Sequence, residues 1–286
     1  MNWLSFHIAS GASLFSGALL LIVGALVTGK MKNRGRFFWK LTASAGLAFI
    51  LMSSTPFPGW AYVSLTLMFI GWITFESIPR LHARSGVVIG RVLLICSSFI
   101  LTACEIPHQV LPSVPNVKHG QMFIVGDSIS AGIDENPTWS DVYQKRYGVK
   151  INNLAKPAAT IGSALKQSTL IPTGGALILL EIGGNDLLGK TTPAEFRNDL
   201  KKLLASLYDP SRTIEMFELP LLPGQAELGR AQRSLTKEYG VYLVPKRYFC
   251  NVLSAPQATI DGLHLSLVGS SLMADLIHAV VGGLLK

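Results

Sequence analysis

The stretch 176-ALILLEIGGNDL-187 decides the fold. Its first seven residues read as an apolar strand without polar–apolar alternation. Such a strand is covered on both faces, as in a parallel sheet with helices above and below. Gly183 and Gly184 end it, because glycine permits a tight turn and close approach of a ligand.

Working outward gives alternating elements. Residues 121–125 form a short apolar strand that runs into Gly126-Asp127-Ser128. A helix over 138–147 and a strand over 149–153 follow. Beyond the glycines, 193–208 reads as a helix, with proline at an early position and Glu195 in its first turn. Strands over 213–219 and 241–244 alternate with helices over 225–239 and 266–281. This order predicts an α/β fold with a parallel sheet and helices on both faces. Ligands of such sheets bind at the carboxyl ends of the strands. Ser128 and Asn185 both fall just after such ends.

The first third of the chain is different. Residues 8–28 carry no charge, and a helix of that length spans about 30 Å of hydrocarbon. Residues 41–75 are also uncharged, too long for one straight helix, and broken by Pro56, Pro58 and Gly59. Trp60 and Tyr62 suit the membrane interface at that turn. A fourth apolar run, 86–104, holds only Arg91, which can snorkel to the headgroups. About four transmembrane spans are predicted over 1–104. Lys30, Lys32, Arg34, Arg36 and Lys40 lie between spans one and two, and Arg80, Arg84 and Arg91 between spans three and four. Positive loops stay in the cytoplasm, so both the N-terminus and the C-terminal part are expected outside. In a bacterium this makes a multi-pass protein of the cytoplasmic membrane with a periplasmic or extracellular domain. Residues 105–119 contain three prolines and read as an extended linker, which leaves 120–286 as the second domain.

The formal net charge is +8, yet residues 1–106 hold eight Lys/Arg against only Glu76 and Glu105. The excess therefore sits beside apolar segments, and no basic aromatic stripe for nucleic acid is present. Cys96, Cys104 and Cys250 have no metal-ligand spacing and form no disulfide framework. Leu101-Thr102-Ala103-Cys104 is open to two readings. It is either a lipobox, at which bacterial lipoproteins are cut and acylated, or a small-residue helix end.

Four short blocks carry the chemistry. Gly126-Asp127-Ser128-Ile129-Ser130 puts a serine on a turn after a buried strand. Asp261-Gly262-Leu263-His264 offers a base and a carboxylate to fix its tautomer. Gly183-Gly184-Asn185-Asp186 supplies an amide that can donate to an oxyanion. The run from Asn153 to Thr160 offers a further backbone N–H. Each block alone is ordinary turn or cap chemistry.

In combination, order and spacing, residues 120–283 resemble the SGNH (GDSL-like) serine hydrolases, above all the thioesterase I/arylesterase/lysophospholipase branch. The resemblance implies a three-layer αβα, flavodoxin-like domain. It implies Ser128 as nucleophile, His264 as base and then acid, and Asp261 as its orienter. The implied oxyanion donors are the N–H of Ser128, the N–H at position 158 and the Asn185 amide. Ala158 stands where that family has glycine, so a methyl group or a disfavoured φ is expected there. No metal or organic cofactor is implied. The expected function is a membrane-anchored esterase acting through an acyl-enzyme on lipid acyl chains or acylated envelope glycans. The expected partners are that ester and the lipid bilayer. A polysaccharide O-acetyltransferase or deacetylase, or a non-catalytic glycan- or partner-binding domain, is the alternative.

Overall fold

The structure is a computed structural model that describes residues 3–28, 33–78, 84–115 and 117–285. Lys30, Lys32, Arg80 and the side chains of Arg34 and Arg84, which carry part of the charge asymmetry, lie outside the described residues.

Five parallel strands form one sheet in the order β2-β1-β3-β4-β5. They are β1 (Met122–Gly126), β2 (Ile151–Asn153), β3 (Leu177–Glu181), β4 (Thr213–Phe217) and β5 (Tyr242–Val244). The expected apolar strand is β3, buried at every position at the centre of the sheet. Strand residues alternate between two cores. Ile178, Leu180, Ile214 and Met216 face helices Ile161–Ser168, Pro193–Leu207 and Ala226–Glu238. Leu177, Leu179, Phe217 and Val244 face helices α7 (Trp139–Tyr147), Lys246–Ser254 and Leu267–Val281. Truncating one of these leucines to alanine costs about 2–5 kcal/mol through lost transfer energy and an unfilled cavity.

The N-terminal region is helical: α1 (Trp3–Ala9), α2 (Ala12–Thr28), α3 (Asn33–Met52), α4 (Gly59–Ser77) and α5 (Arg84–Glu105). The expected break at the prolines separates α3 from α4. The first run is not one straight helix, because α1 and α2 meet at 92° around Ser10 and Gly11. Gly17, Gly24 and Gly46 bring the backbones of α2 and α3 together, since any side chain there would strike the facing helix. Small residues serve the same end where helices pack without a hydrophobic driving force. Outward, large apolar chains such as Leu19, Leu67, Ile70, Phe99 and Ile100 are exposed. Arg91 pairs at 2.7 Å with the buried Glu76 of α4, so its expected snorkelling is replaced by an ion pair between helices.

By length and composition, Ser85–Gln109 and Leu267–Leu284 are long and apolar enough to cross a membrane, and the bent α1–α2 pair is a third candidate. The Leu267–Leu284 segment owes its apolarity to another cause. Met273, Ala274, Ile277 and Val281 pack on the sheet, so it is a core helix of the α/β layer.

The bundle sits directly on the α/β unit. Glu105 is fully buried and takes two hydrogen bonds of 2.8 Å from Arg233. Arg233 also meets Glu218, and the buried Lys246 lies 3.3 Å from Glu218. Burial alone would raise the Glu218 pKa, but Lys246 and Arg233 outweigh it and hold the carboxyl below its usual range. Arg230 donates to the carbonyl of Phe57 at 2.8 Å. The stretch expected as a linker thus opens on a buried ion network. It continues as a 3-10 turn, Ile106–Gln109, and closes where His119 N–H bonds Leu284 O at 2.7 Å.

Candidate active site

Ser128 opens a four-residue helix, α6 (Ser128–Ala131), directly after β1. Asp127 caps it by accepting from the Ile129 N–H at 3.1 Å. His264 Nε2 lies 3.0 Å from Ser128 Oγ, and His264 Nδ1 lies 2.7 Å from Asp261 Oδ2. The structure therefore joins the three residues in one hydrogen-bonded chain across 136 residues of sequence. Asp261 Oδ1 also accepts from the N–H groups of Leu263 at 3.0 Å and His264 at 2.8 Å. The His264 side-chain bond and these backbone bonds hold the Asp261 carboxyl well below the usual carboxylate range. A carboxylate fixed in its charged form suits a partner that must orient imidazole and stabilise imidazolium.

Asn185 lies in a short helix, α9 (Gly184–Leu188), after β3. Its Nδ2 donates to Ala159 O at 2.9 Å and lies 3.5 Å from Asp127 Oδ2. One amide N–H is thus held firmly. The other has only a long contact and can turn to an incoming oxyanion. Asn185 therefore stands against the sequence neighbours of both other expected donors, Ala158 and Ser128. Ala158 adopts φ +58°, one of two non-glycine residues with positive φ among those described. The cause is a turn. Ala159 N–H bonds Lys156 O at 3.2 Å, with Pro157 and Ala158 between them. A type II turn requires positive φ at its third residue, which is why glycine is usual there. The expected conformational cost of Ala158 is present in the structure.

Several residues behind the site have roles that the sequence did not assign. Buried Gln167, from α8 (Ile161–Ser168), clamps both the N–H and the C=O of Gly126, each at 2.9 Å. Buried Asp186 accepts from Ile161 N–H at 2.9 Å and so ties α9 to the start of α8. Ser130 Oγ donates to Glu181 at 2.8 Å and accepts from Trp139 Nε1 at 3.1 Å. Burial, followed by the charge of Asp127, pushes the Glu181 pKa well up. Burial also raises Asp127, to about 6, against the lowering pull of Ile129 N–H and His264. A capping-box spacing, Thr160 to Ser163, was the one sequence signal that could have found α8. Among the described residues no group of three or more His, Cys, Asp or Glu is placed to hold a metal ion.

Residues 124–272 match the GDSL-like Lipase/Acylhydrolase family. Esterase TesA of Pseudomonas aeruginosa is 23% identical over 180 residues, covering 57% of this chain and 89% of that protein. Among solved structures, TesA (22% identity, TM-score 0.50) matches 57% of this chain and 99% of its own. The psychrotrophic esterase EstA from Pseudoalteromonas sp. (18% identity, TM-score 0.50) matches 57% of this chain and 97% of its own. At these identities the structural likeness speaks for the fold.

Proposed function

The chain belongs to the GDSL-like lipase/acylhydrolase family and is a carboxylic ester hydrolase, and we propose that it cleaves its ester through an acyl-enzyme on Ser128. His264 takes the Ser128 proton as Oγ attacks the ester carbonyl. The oxyanion rests on the N–H groups of Ser128 and Ala158 and on the Asn185 amide. His264 then gives its proton to the leaving alcohol. Water, deprotonated by the same imidazole, frees the acid and restores Ser128. Asp261 keeps the imidazole in the tautomer that accepts at Nε2. One observation carries this reading: the unbroken chain Asp261–His264–Ser128 with separations of 2.7 and 3.0 Å.

We further propose that residues 1–104 anchor the enzyme in a bacterial cytoplasmic membrane by about four spans, α2 to α5. The hydrolase unit over 120–286 then lies on the outer side. The exposed apolar flanks of these helices and the Lys/Arg asymmetry support this. Natural substrates are then esters of the envelope. An organophosphonate tests the nucleophile: mass spectrometry should find Ser128 labelled alone. Labelling of Ser130 with Ser128 untouched overturns the assignment. Reporters active only in the periplasm test the topology. They should work after Lys286 and fail between Lys32 and Arg36.

A further inference from the structure

An acyl-enzyme on Ser128 needs a water beside His264. The Nε2 atom of His264 hands a proton to the leaving alcohol and then takes one from the water that follows. The two oxygens therefore stand in turn at the same nitrogen, away from the oxyanion donors. A small cavity lies on that side. It measures about 10 Å³ and is lined by Ser128 and His264, but by neither Ala158 nor Asn185. Such a volume holds about one water.

Most other polar side chains of the lining are engaged. Asn136 Nδ2 donates to Asp134 at 2.6 Å, and Thr138 Oγ1 lies 2.7 Å from both Ser140 Oγ and Asp141 Oδ2. Ser270 is different. It lines the cavity and is only 4% exposed, yet its hydroxyl bonds no protein group among the described residues. Buried hydroxyls are nearly always bonded, because leaving water without a replacement partner is costly. A water in the cavity supplies that partner. Ser270, His264 and Ser128 then offer it three hydrogen bonds, the number a buried water typically makes.

The chain holds Ser270 in place against the imidazole. It lies in the first turns of the helix Leu267–Val281. Its N–H bonds Ser266 O at 2.7 Å, and Ser266 N–H bonds Ala258 O at 2.9 Å. A Cβ at Gly269 would lie 2.0 Å from that same carbonyl, so glycine lets the helix start close on the loop that carries His264. Within the loop, Ile260 N–H bonds His264 O at 2.9 Å. Ser270 and His264 thus share one short, cross-bonded stretch.

Resting on the acyl-enzyme reading above, we propose that Ser270 seats the deacylating water. One hydrogen of the water goes to Ser270 Oγ and the other to His264 Nε2, which leaves a lone pair of its oxygen to face the acyl carbonyl. The water oxygen bonds the carbonyl carbon as its proton passes to Nε2. The tetrahedral intermediate then expels Ser128 Oγ, which recovers the proton from Nε2, and the acid departs. Ser270 neither gains nor loses a proton.

At saturating p-nitrophenyl acetate the ratio of acetylated to free Ser128 equals the acylation rate over the deacylation rate. Rapid quenching and mass spectrometry of the full-length protein in detergent read that ratio. p-Nitrophenolate leaves without a proton from the enzyme, so Ser270→Ala should spare acylation. It should slow deacylation about tenfold, the effect of one hydrogen bond. The ratio should rise by that factor while the melting temperature stays. Ser270→Cys, whose thiol accepts only weakly, should raise the ratio too, and it carries the test if the alanine variant does not fold. An unchanged or lower ratio, even with a lower kcat, overturns the proposal and leaves the acyl-enzyme standing. Hydrolysis by the native chain with Ser128 acetylated in none of the three proteins overturns the acyl-enzyme reading itself.

Discussion

The two halves of the site are built in different ways. The proton-handling half is local. Asp261 and His264 share one loop, and Asp261 closes that loop on the N–H groups of Leu263 and His264. The Asp261 side chain is 49% exposed, so little packing depends on it. The oxyanion half is tertiary. Its donors come from three strand ends; the buried side chains of Gln167 and Asp186 hold Gly126 and Ile161 beside them, and the half-buried Asn185 braces Ala159. A site can therefore lose its chemistry alone through one half, but through the other it loses chemistry and stability together.

The largest effect should come from the nucleophile and from the local half that deprotonates it. Ser128→Ala and His264→Ala should each lower kcat by about 10⁴-fold or more, with an unchanged melting temperature. Asp261→Asn should leave more residual turnover than either. Steady-state hydrolysis of p-nitrophenyl acetate and thermal melting in the same detergent check both points. A large fall in melting temperature for Ser128→Ala would break the contrast.

Asn185→Ala probes the other half at its chemical centre. Losing a donor aimed at developing charge costs about 10²–10³ in kcat, with KM little changed. A normal kcat with lowered melting would make Asn185 a turn residue instead.

Gln167→Ala sharpens the contrast from behind the site. It strands the buried N–H of Gly126, at about 1–3 kcal/mol, while the C=O keeps its bond from Lys156 N–H at 3.1 Å. Melting should fall by several degrees while kcat of the folded fraction falls less than in Asn185→Ala. Equal melting of variant and native chains would show that the clamp is dispensable.

Asp127 adds a pH dependence. Its carboxyl is pushed up from 3.8 to about 6, first by burial. Between those values the folded chain keeps a proton that the unfolded chain has lost, so native stability falls as pH rises through this window. The loss is about 1–3 kcal/mol and complete above the upper value. Asp127→Asn should flatten that slope in melting curves between pH 4 and 7. An unchanged slope would place its origin in other groups.

The smallest effect belongs to Ala158→Gly. Relief at φ +58° and the greater freedom of glycine in the unfolded chain nearly cancel, leaving less than about 1 kcal/mol. Turnover should rise modestly, and most for bulky leaving groups. A loss of turnover would mean that the methyl group positions the turn.

The sequence by itself determined the parallel sheet and the pairing of Asp261 with His264. Both signals are local: an unbroken apolar run at 176–180 is bound to be buried on two faces, and residues three apart on a loop are within reach of each other. It also raised the doubt about Ala158, because a missing glycine is visible wherever a turn demands positive φ. Tertiary structure alone decided the rest. The helices Ile161–Ser168 and Lys246–Ser254 are too short for a clear period. Glu105 stood at the head of a proline-rich stretch, and the distant cations Arg233 and Lys246 account for its burial. Arg91 found Glu76 rather than the headgroups. A buried charge or amide must be paired, but the energy that demands a partner does not say where along the chain it lies. That choice belongs to packing, which is why the oxyanion half and the ion network came into view only with the fold.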